Sequence, residues 1–277
     1  LRTTVLLVGH GSRDEEGNDE IEEFAKSWLQ KNPQWRIKVC FIEFAKVLLD
    51  EGLDDAAENS DQVIVIPLIL NAAGHAKMEI PEHIQEARQR YPHVKFIYAK
   101  HLGASEMILK LLKRNLNQTM KSLFVPDPKN TGIVLLGRGS SDKVANGEVA
   151  KMARWLWEET DHELVDIAFT GITYPRLETI VQRQVMLGMK QIVILPYYLF
   201  TGTLIKRIDE QFQRLQQQYP TISFALGHYL GFEEEIYDTL DSKVTELIQP
   251  EPVNMMECDG CPYRAFAQSH GQGHHEH

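Results

Sequence analysis

The feature that most constrains this chain is an internal repeat. Thr4–Asn18 reads TVLLVGHGSRDEEGN, and Gly132–Asn146 reads GIVLLGRGSSDKVAN. At an offset of 128 residues, Gly9, Gly11, Ser12, Asp14 and Asn18 meet Gly137, Gly139, Ser140, Asp142 and Asn146. Two further matches follow in the same order. Residues 63–75, VIVIPLILNAAGH, parallel residues 192–203, IVILPYYLFTGT, with one residue fewer in the second loop; residues 91–103 parallel 219–231. Three ordered matches indicate duplication, so the chain builds one unit twice.

Each copy alternates strand and helix signals. In the first, Thr4–Val8 is an uninterrupted apolar run suited to a strand covered on both faces. Ile21, Phe24, Ala25 and Trp28 then fall at helical spacing. Ile37–Phe41 reads as the second strand and Val47–Glu58 as a helix. Gln62–Ile66, closed by Pro67, is the third strand, and Pro81–Arg90 is a helix with proline in its first turn. Lys95–Ala99 and Ala104–Leu116 complete the copy. The strands Ile133–Leu136, Leu164–Phe169, Gln191–Leu195 and Ser223–Leu226 repeat the order. The expected fold class is α/β: tandem duplicated domains, each a mostly parallel sheet flanked by helices. The expected divisions are a first domain over 1–117, a linker over 118–131, a second domain over 132–249 and a Cys/His-rich tail over 250–277.

Composition narrows the function classes. The formal net charge of −10 argues against a general nucleic-acid binder. No apolar run reaches 18 residues, and the start runs straight into Gly-His-Gly without a small-residue cleavage pattern, so no membrane partner and a cytoplasmic location are expected. The three cysteines, Cys40, Cys258 and Cys261, are too few for a disulfide framework.

Ligands of open parallel sheets bind beyond the carboxyl ends of the strands. In the first copy those loops carry Gly9-His10-Gly11-Ser12-Arg13, Glu43, the segment 68–75 ending in His75, and Lys100-His101-Leu102-Gly103. Neutral imidazoles at His10 and His75 suit a borderline divalent ion. Glu43 can neutralise the ion, ligate it or hold a histidine. Ser12 and Arg13 suit substrate carboxylates. Each histidine alone also fits a structural role, His10 in steadying its loop and His75 beside a helix cap; the pair favours a metal. In the second copy Arg138 replaces His10 and Thr203 replaces His75, so the metal chemistry is confined to one copy. Neither a dinucleotide fingerprint nor a P-loop is present, and no nucleotide is expected. A phosphate-transferring His10 would need a preceding arginine, which Gly9 is not.

These stretches resemble the long-form, type II chelatases that insert cobalt or iron into sirohydrochlorin. LLVGHGSRDEEGN (6–18), CFIEFAKVLLDEGL (40–53) and VIVIPLILNAAGHAKMEIPEHI (63–84), with the degenerate second copy, carry the resemblance over nearly all of residues 1–245. It implies two similar α/β domains around a cleft, metal-binding histidines at His10 and His75, and an acidic active-site residue at Glu43. Where many members have proline soon after that Glu, this chain has Phe44-Ala45-Lys46-Val47. The implied substrates are sirohydrochlorin and Co²⁺, with Fe²⁺ as the alternative metal and a noncatalytic metal or tetrapyrrole carrier as the alternative of another class. Sirohydrochlorin carries eight carboxylates, so Ser12, Arg13, Lys77 and Arg138 are the expected substrate contacts. The duplicated chain can form its cleft as a monomer, or a homodimer can arise through the tail.

The tail holds Cys258-Asp-Gly-Cys261 and His270, His274, His275 and His277. Two thiolates at this spacing suit a soft metal. A Met-x-Cys-x-x-Cys motif with a histidine-rich region resembles that of some long-form cobaltochelatases. It makes an iron–sulfur cluster or an accessory metal site the expectation here and tips the metal toward cobalt.

Overall fold

The computed structural model describes residues 2–71 and 73–248, without the side chains of His75 and Ala76. The first copy runs β1 (Thr3–Gly9), α1 (Glu15–Lys31), β2 (Arg36–Phe41), α2 (Leu49–Ala57), β3 (Gln62–Pro67), α3 (Gly74–Arg90), β4 (Lys95–Tyr98) and α4 (Glu106–Met120). A 3-10 turn at Pro128–Asn130 leads to the second: β5 (Thr131–Gly137), α5 (Lys143–Glu158), β6 (Leu164–Phe169), α6 (Leu177–Met186), β7 (Gln191–Pro196), α7 (Thr203–Gln218), β8 (Ser223–Leu226) and α8 (Glu234–Ile248). Each copy forms a four-stranded parallel sheet, ordered β2-β1-β3-β4 and β6-β5-β7-β8.

Two-sided burial explains the continuous apolar strands. Val5 and Leu7 face a core shared by both sheets, while Leu6 and Val8 face α2 and α3. In the second copy Ile133 and Leu135 face the shared core, and Val134 and Leu136 face α6 and α7. Helices α1, α4, α5 and α8 supply the middle layer, with Phe24, Trp28, Leu112, Met152 and Leu240 packed in one cluster. Polar bonds lock that layer. Trp28 Nε1 donates to Asp241 Oδ1 at 2.7 Å, and Arg114 Nη1 donates to the buried Glu235 Oε1 at 2.6 Å.

Two local expectations change. Helix α4 continues through residues 118–120 because Thr119 and Met120 are buried in the core, so the connecting segment starts later than position 118. Helix α3 begins at Gly74, seven residues before Pro81, which therefore lies inside it. Proline cannot donate to the carbonyl four residues back, yet Ile80, Ile84 and Ala87 anchor the helix on the sheet around the gap. The same comparison moves the one-residue gap between copies. The N-cap residues Ala73 and Gly202 are 129 apart and the C-cap residues Tyr91 and Tyr219 are 128 apart, so the missing residue lies within the helix. His75 then aligns with Leu204 rather than Thr203; a histidine is absent in either alignment.

Candidate functional site

Strand β1 lies between β2 and β3, so the loops that follow these three strands share one sheet edge. The first two carry His10 and Glu43, and the third leads into α3, whose second residue is His75. Two backbone bonds lash the first two loops together: Ile42 N–H donates to the Gly9 carbonyl at 3.0 Å and Glu43 N–H to the His10 carbonyl at 3.1 Å. Gly11 crosses over this junction with φ +92°, and a Cβ there would lie 1.6 Å from the Glu43 carbonyl oxygen. Only glycine fits.

Asn18 explains the spacing inside the repeated motif. Its Oδ1 accepts from Ser12 N–H at 2.9 Å, while its Nδ2 donates to the Ser12 carbonyl at 3.0 Å and to the Phe44 carbonyl at 2.9 Å. Asn146 repeats the first two bonds with Ser140. Asparagine at this offset is thus a loop clamp retained in both copies, a role the motif match alone does not reveal.

His10 is about one-third exposed, and its Nδ1 lies 3.6 Å from Glu43 Oε1. Nδ1 is also 3.3 Å from the Gly11 carbonyl oxygen. A carbonyl only accepts, so this contact favours the tautomer with its proton on Nδ1. A carboxylate beside the protonated nitrogen orients such a ring and raises its basicity as a ligand. In the second copy Arg138 takes the place of His10 and Gly171, at the same offset, takes the place of Glu43; Gly171 N–H donates to the Arg138 carbonyl at 3.0 Å. The backbone junction survives while both chemical groups are gone. His75 is the second residue of α3, in its first turn beyond β3; its side chain is outside the described structure.

A cleft of about 760 Å³ opens between the copies, lined by His10, Ser12, Asn71, Arg138, Ile172 and Tyr197 among others. Its size is at the upper end for small-molecule sites. Asn71 Oδ1 and Tyr197 Oη are buried without a hydrogen-bond partner among the described residues. Each such atom costs about 1–3 kcal/mol unless something in the cleft satisfies it. Glu79 and Glu82 of α3 also line the wall. They stand four and seven residues beyond His75, a helical spacing that sequence reading had available and passed over.

The four expected substrate contacts divide. Ser12 and Arg138 line the cleft. The Ser12 hydroxyl accepts from Asp14 N–H at 3.1 Å, leaving its own proton to donate. Arg13 instead stacks over the Phe44 ring, 4.8 Å from its centroid. Lys77 forms an ion pair with Asp142 of the other copy. These two cations lie outside the cleft wall. Cys258, Cys261, His270, His274, His275 and His277 lie outside the described residues.

The Lys77–Asp142 pair has a counterpart, Lys206 Nζ to Asp14 Oδ2 at 2.6 Å, so each copy sends one lysine to an aspartate of the other. Lys206 holds the Asp14 carboxyl below its ordinary value of 3.8, and Lys77 does the same to Asp142. A lowered folded value stabilises the fold above the ordinary carboxylate value, and the contribution fades as pH falls below 3.8 through the lowered values. The urea midpoint of the wild type is expected to exceed that of Lys77→Met/Lys206→Met at neutral pH, with the gap shrinking in acid and in high salt. A gap independent of both would mean that the lysines act through packing.

The CbiX family model matches residues 4–119 and again residues 132–247. The chain belongs to the CbiX family. It is 39% identical over 274 residues to a sirohydrochlorin cobaltochelatase of Priestia megaterium, covering 98% of this chain and 88% of that one. A sirohydrochlorin ferrochelatase of the same organism is 32% identical over 88% of this chain and 90% of its own. Among solved structures, SirB from Bacillus subtilis with Fe³⁺ superposes with a TM-score of 0.76 at 29% identity, covering 89% of this chain and 95% of that one. Among the described residues, no helix is long and apolar enough to cross a membrane.

Proposed function

We infer that this chain is a sirohydrochlorin cobaltochelatase, a lyase that places Co²⁺ in the macrocycle with release of two pyrrole protons. The observation that carries this reading is the near full-length relationship to the Priestia megaterium cobaltochelatase. The geometry agrees with it: one imidazole, backed by a carboxylate, faces a cleft large enough for a macrocycle.

In this reading His10 Nε2 and His75 present the substrate ion, and Glu43 compensates charge and takes up a proton. Ser12 and Arg138 meet peripheral carboxylates from opposite copies. The amino-terminal ends of α1 and α5 add partial positive charge to an otherwise acidic protein. The cleft is formed within one chain, so a monomer suffices for turnover. We assign Cys258 and Cys261, with the tail histidines, to accessory metal or cluster binding outside insertion itself. Two cysteines per chain cannot complete a four-cysteine cluster, so a second chain or histidines would have to contribute.

Fe²⁺ insertion is the second reading, favoured by the ferrochelatase relative. Anaerobic absorbance assays with sirohydrochlorin and either ion separate them. Multiple turnovers with Co²⁺, faster than with Fe²⁺ and retained after truncation beyond Pro250, are expected. Faster Fe²⁺ turnover would reassign the metal. Stoichiometric binding with no rate above the spontaneous one would favour a carrier.

A further inference from the structure

A second group of ligating side chains lies on the outer face of the first copy, away from the cleft wall. Asp50 is in the first turn of α2, and His83 and Glu86 sit one turn apart on α3. One ligand atom from each lies within 4.8 Å of the other two. That span is close to what a single ion with bonds of about 2.0–2.2 Å requires. His83 Nδ1 is 2.8 Å from Asp50 Oδ1, so the contact already joins the two helices.

The second copy supplies an internal control. At the same offset of 128 it carries Glu178, Gln211 and Arg214. There Gln211 Nε2 donates to Glu178 Oε1 at 2.9 Å. A polar bridge between the outer helices is thus present in both copies, and a neutral amide is enough to make it. Holding the helices together does not call for an imidazole at 83 or a carboxylate at 86. The copy with His10 and Glu43 has both; the copy with Arg138 and Gly171 has neither. Ligand-forming residues at this second position therefore segregate with the metal chemistry of the cleft.

We propose that Asp50, His83 and Glu86 form an accessory site for a divalent cation of the same borderline class as the substrate ion. One imidazole and two carboxylates favour Co²⁺, Ni²⁺ or Zn²⁺ over Mg²⁺ or Ca²⁺, which take oxygen ligands. Three protein ligands leave positions for water. Arg90 Nη2 approaches Asp50 Oδ1 at 3.6 Å, but its closer bonds, 2.9 and 3.0 Å, go to Asp54. Its charge weakens the site without occupying it. His83 follows His75 by eight residues on α3, about 12 Å along the axis. The site thus holds an ion near the cleft without sharing cleft ligands. Its use as a station for the substrate ion rests on the chelatase reading; its existence as a cation site does not.

The test exchanges the first copy's residues for those of the second, His83→Gln/Glu86→Arg, in the full chain. Retained thermal unfolding and far-ultraviolet spectra are expected, because the second copy folds with these residues. Equilibrium dialysis with Co²⁺ in excess Mg²⁺ should show one fewer bound Co²⁺ than in the wild type. In the anaerobic insertion assay the maximal rate should hold, while half-saturation should need severalfold more Co²⁺. An unchanged Co²⁺ stoichiometry overturns the site. Loss of one ion with an unchanged Co²⁺ dependence keeps the site and overturns its role as a station. Loss of one ion in the variant, with no insertion by the wild type at all, would reject the chelatase reading and leave the cation site standing.

Discussion

His10→Ala is expected to reduce Co²⁺ insertion by about 10²-fold or more, because losing a ligand to the ion should cost at least as much as the roughly 10–100-fold lost with a partner that orients one. The substitution removes the ring whose Nδ1 faces both the Gly11 carbonyl and Glu43. Folding should be nearly unaffected, because the loop is clamped by Asn18 and by backbone bonds rather than by the imidazole. His10→Arg sharpens the result. Arginine occupies the equivalent position 138 in the same backbone setting, so the variant should fold. It should still fail to insert metal, because a guanidinium does not ligate a cation. Single-turnover absorbance with Co²⁺ and thermal unfolding on the same samples measure both halves of the claim. A His10→Ala protein that kept most of its rate would remove His10 from the chemistry and leave His75 and Glu43 as its centre.

The repeat carried much of this from sequence alone. Leu164–Phe169 and Ser223–Leu226 are strands with the bounds that their apolar patterns indicate. The shared sheet edge that gathers the His10, Glu43 and His75 loops follows from ordinary parallel α/β connectivity. Other features depended on partners distant in the chain. Lys77 looked available for a carboxylate, yet Asp142, 65 residues away, holds it. Arg13 looked equally available until the Phe44 ring came beneath it. Pro81 looked like a helix start because local rules place proline there; in the fold α3 starts seven residues earlier, at Gly74, and its buried face is Ile80, Ile84 and Ala87. The Asp50–His83–Glu86 group joins two helices whose spatial contact no local spacing predicts.

Gly11→Ala is the second large effect, and it separates folding from chemistry when paired with Gly139→Ala. At Gly11 the new Cβ would lie 1.6 Å from the Glu43 carbonyl oxygen and 2.7 Å from its carbon, both backbone atoms that cannot swing aside. The left-handed backbone, φ +92°, adds about 1–2 kcal/mol of its own. Relief requires the loops after β1 and β2 to part, which breaks the Gly9–Ile42 and His10–Glu43 backbone bonds at about 1 kcal/mol each. A loss of about 3 kcal/mol or more is therefore expected, with insertion lost even in the fraction that stays folded, because His10 and Glu43 separate. Gly139 has the same φ region, and its Cβ would lie 2.2 Å from the Gly171 carbonyl oxygen. Gly139→Ala should cost similar stability, but the junction it opens holds Arg138 and Gly171, not the imidazole and carboxylate. The folded fraction should then keep turning over Co²⁺, with weaker sirohydrochlorin binding where Arg138 moves. Gly147→Ala, with no atom within 4 Å of its Cβ, should stabilise α5 by about 0.5–1 kcal/mol. Urea titrations of the three variants and turnover per folded molecule make the comparison. Equal loss of turnover at Gly11 and Gly139 would mean that the two copies share the metal chemistry, against the division that His10 and Arg138 mark in the sequence.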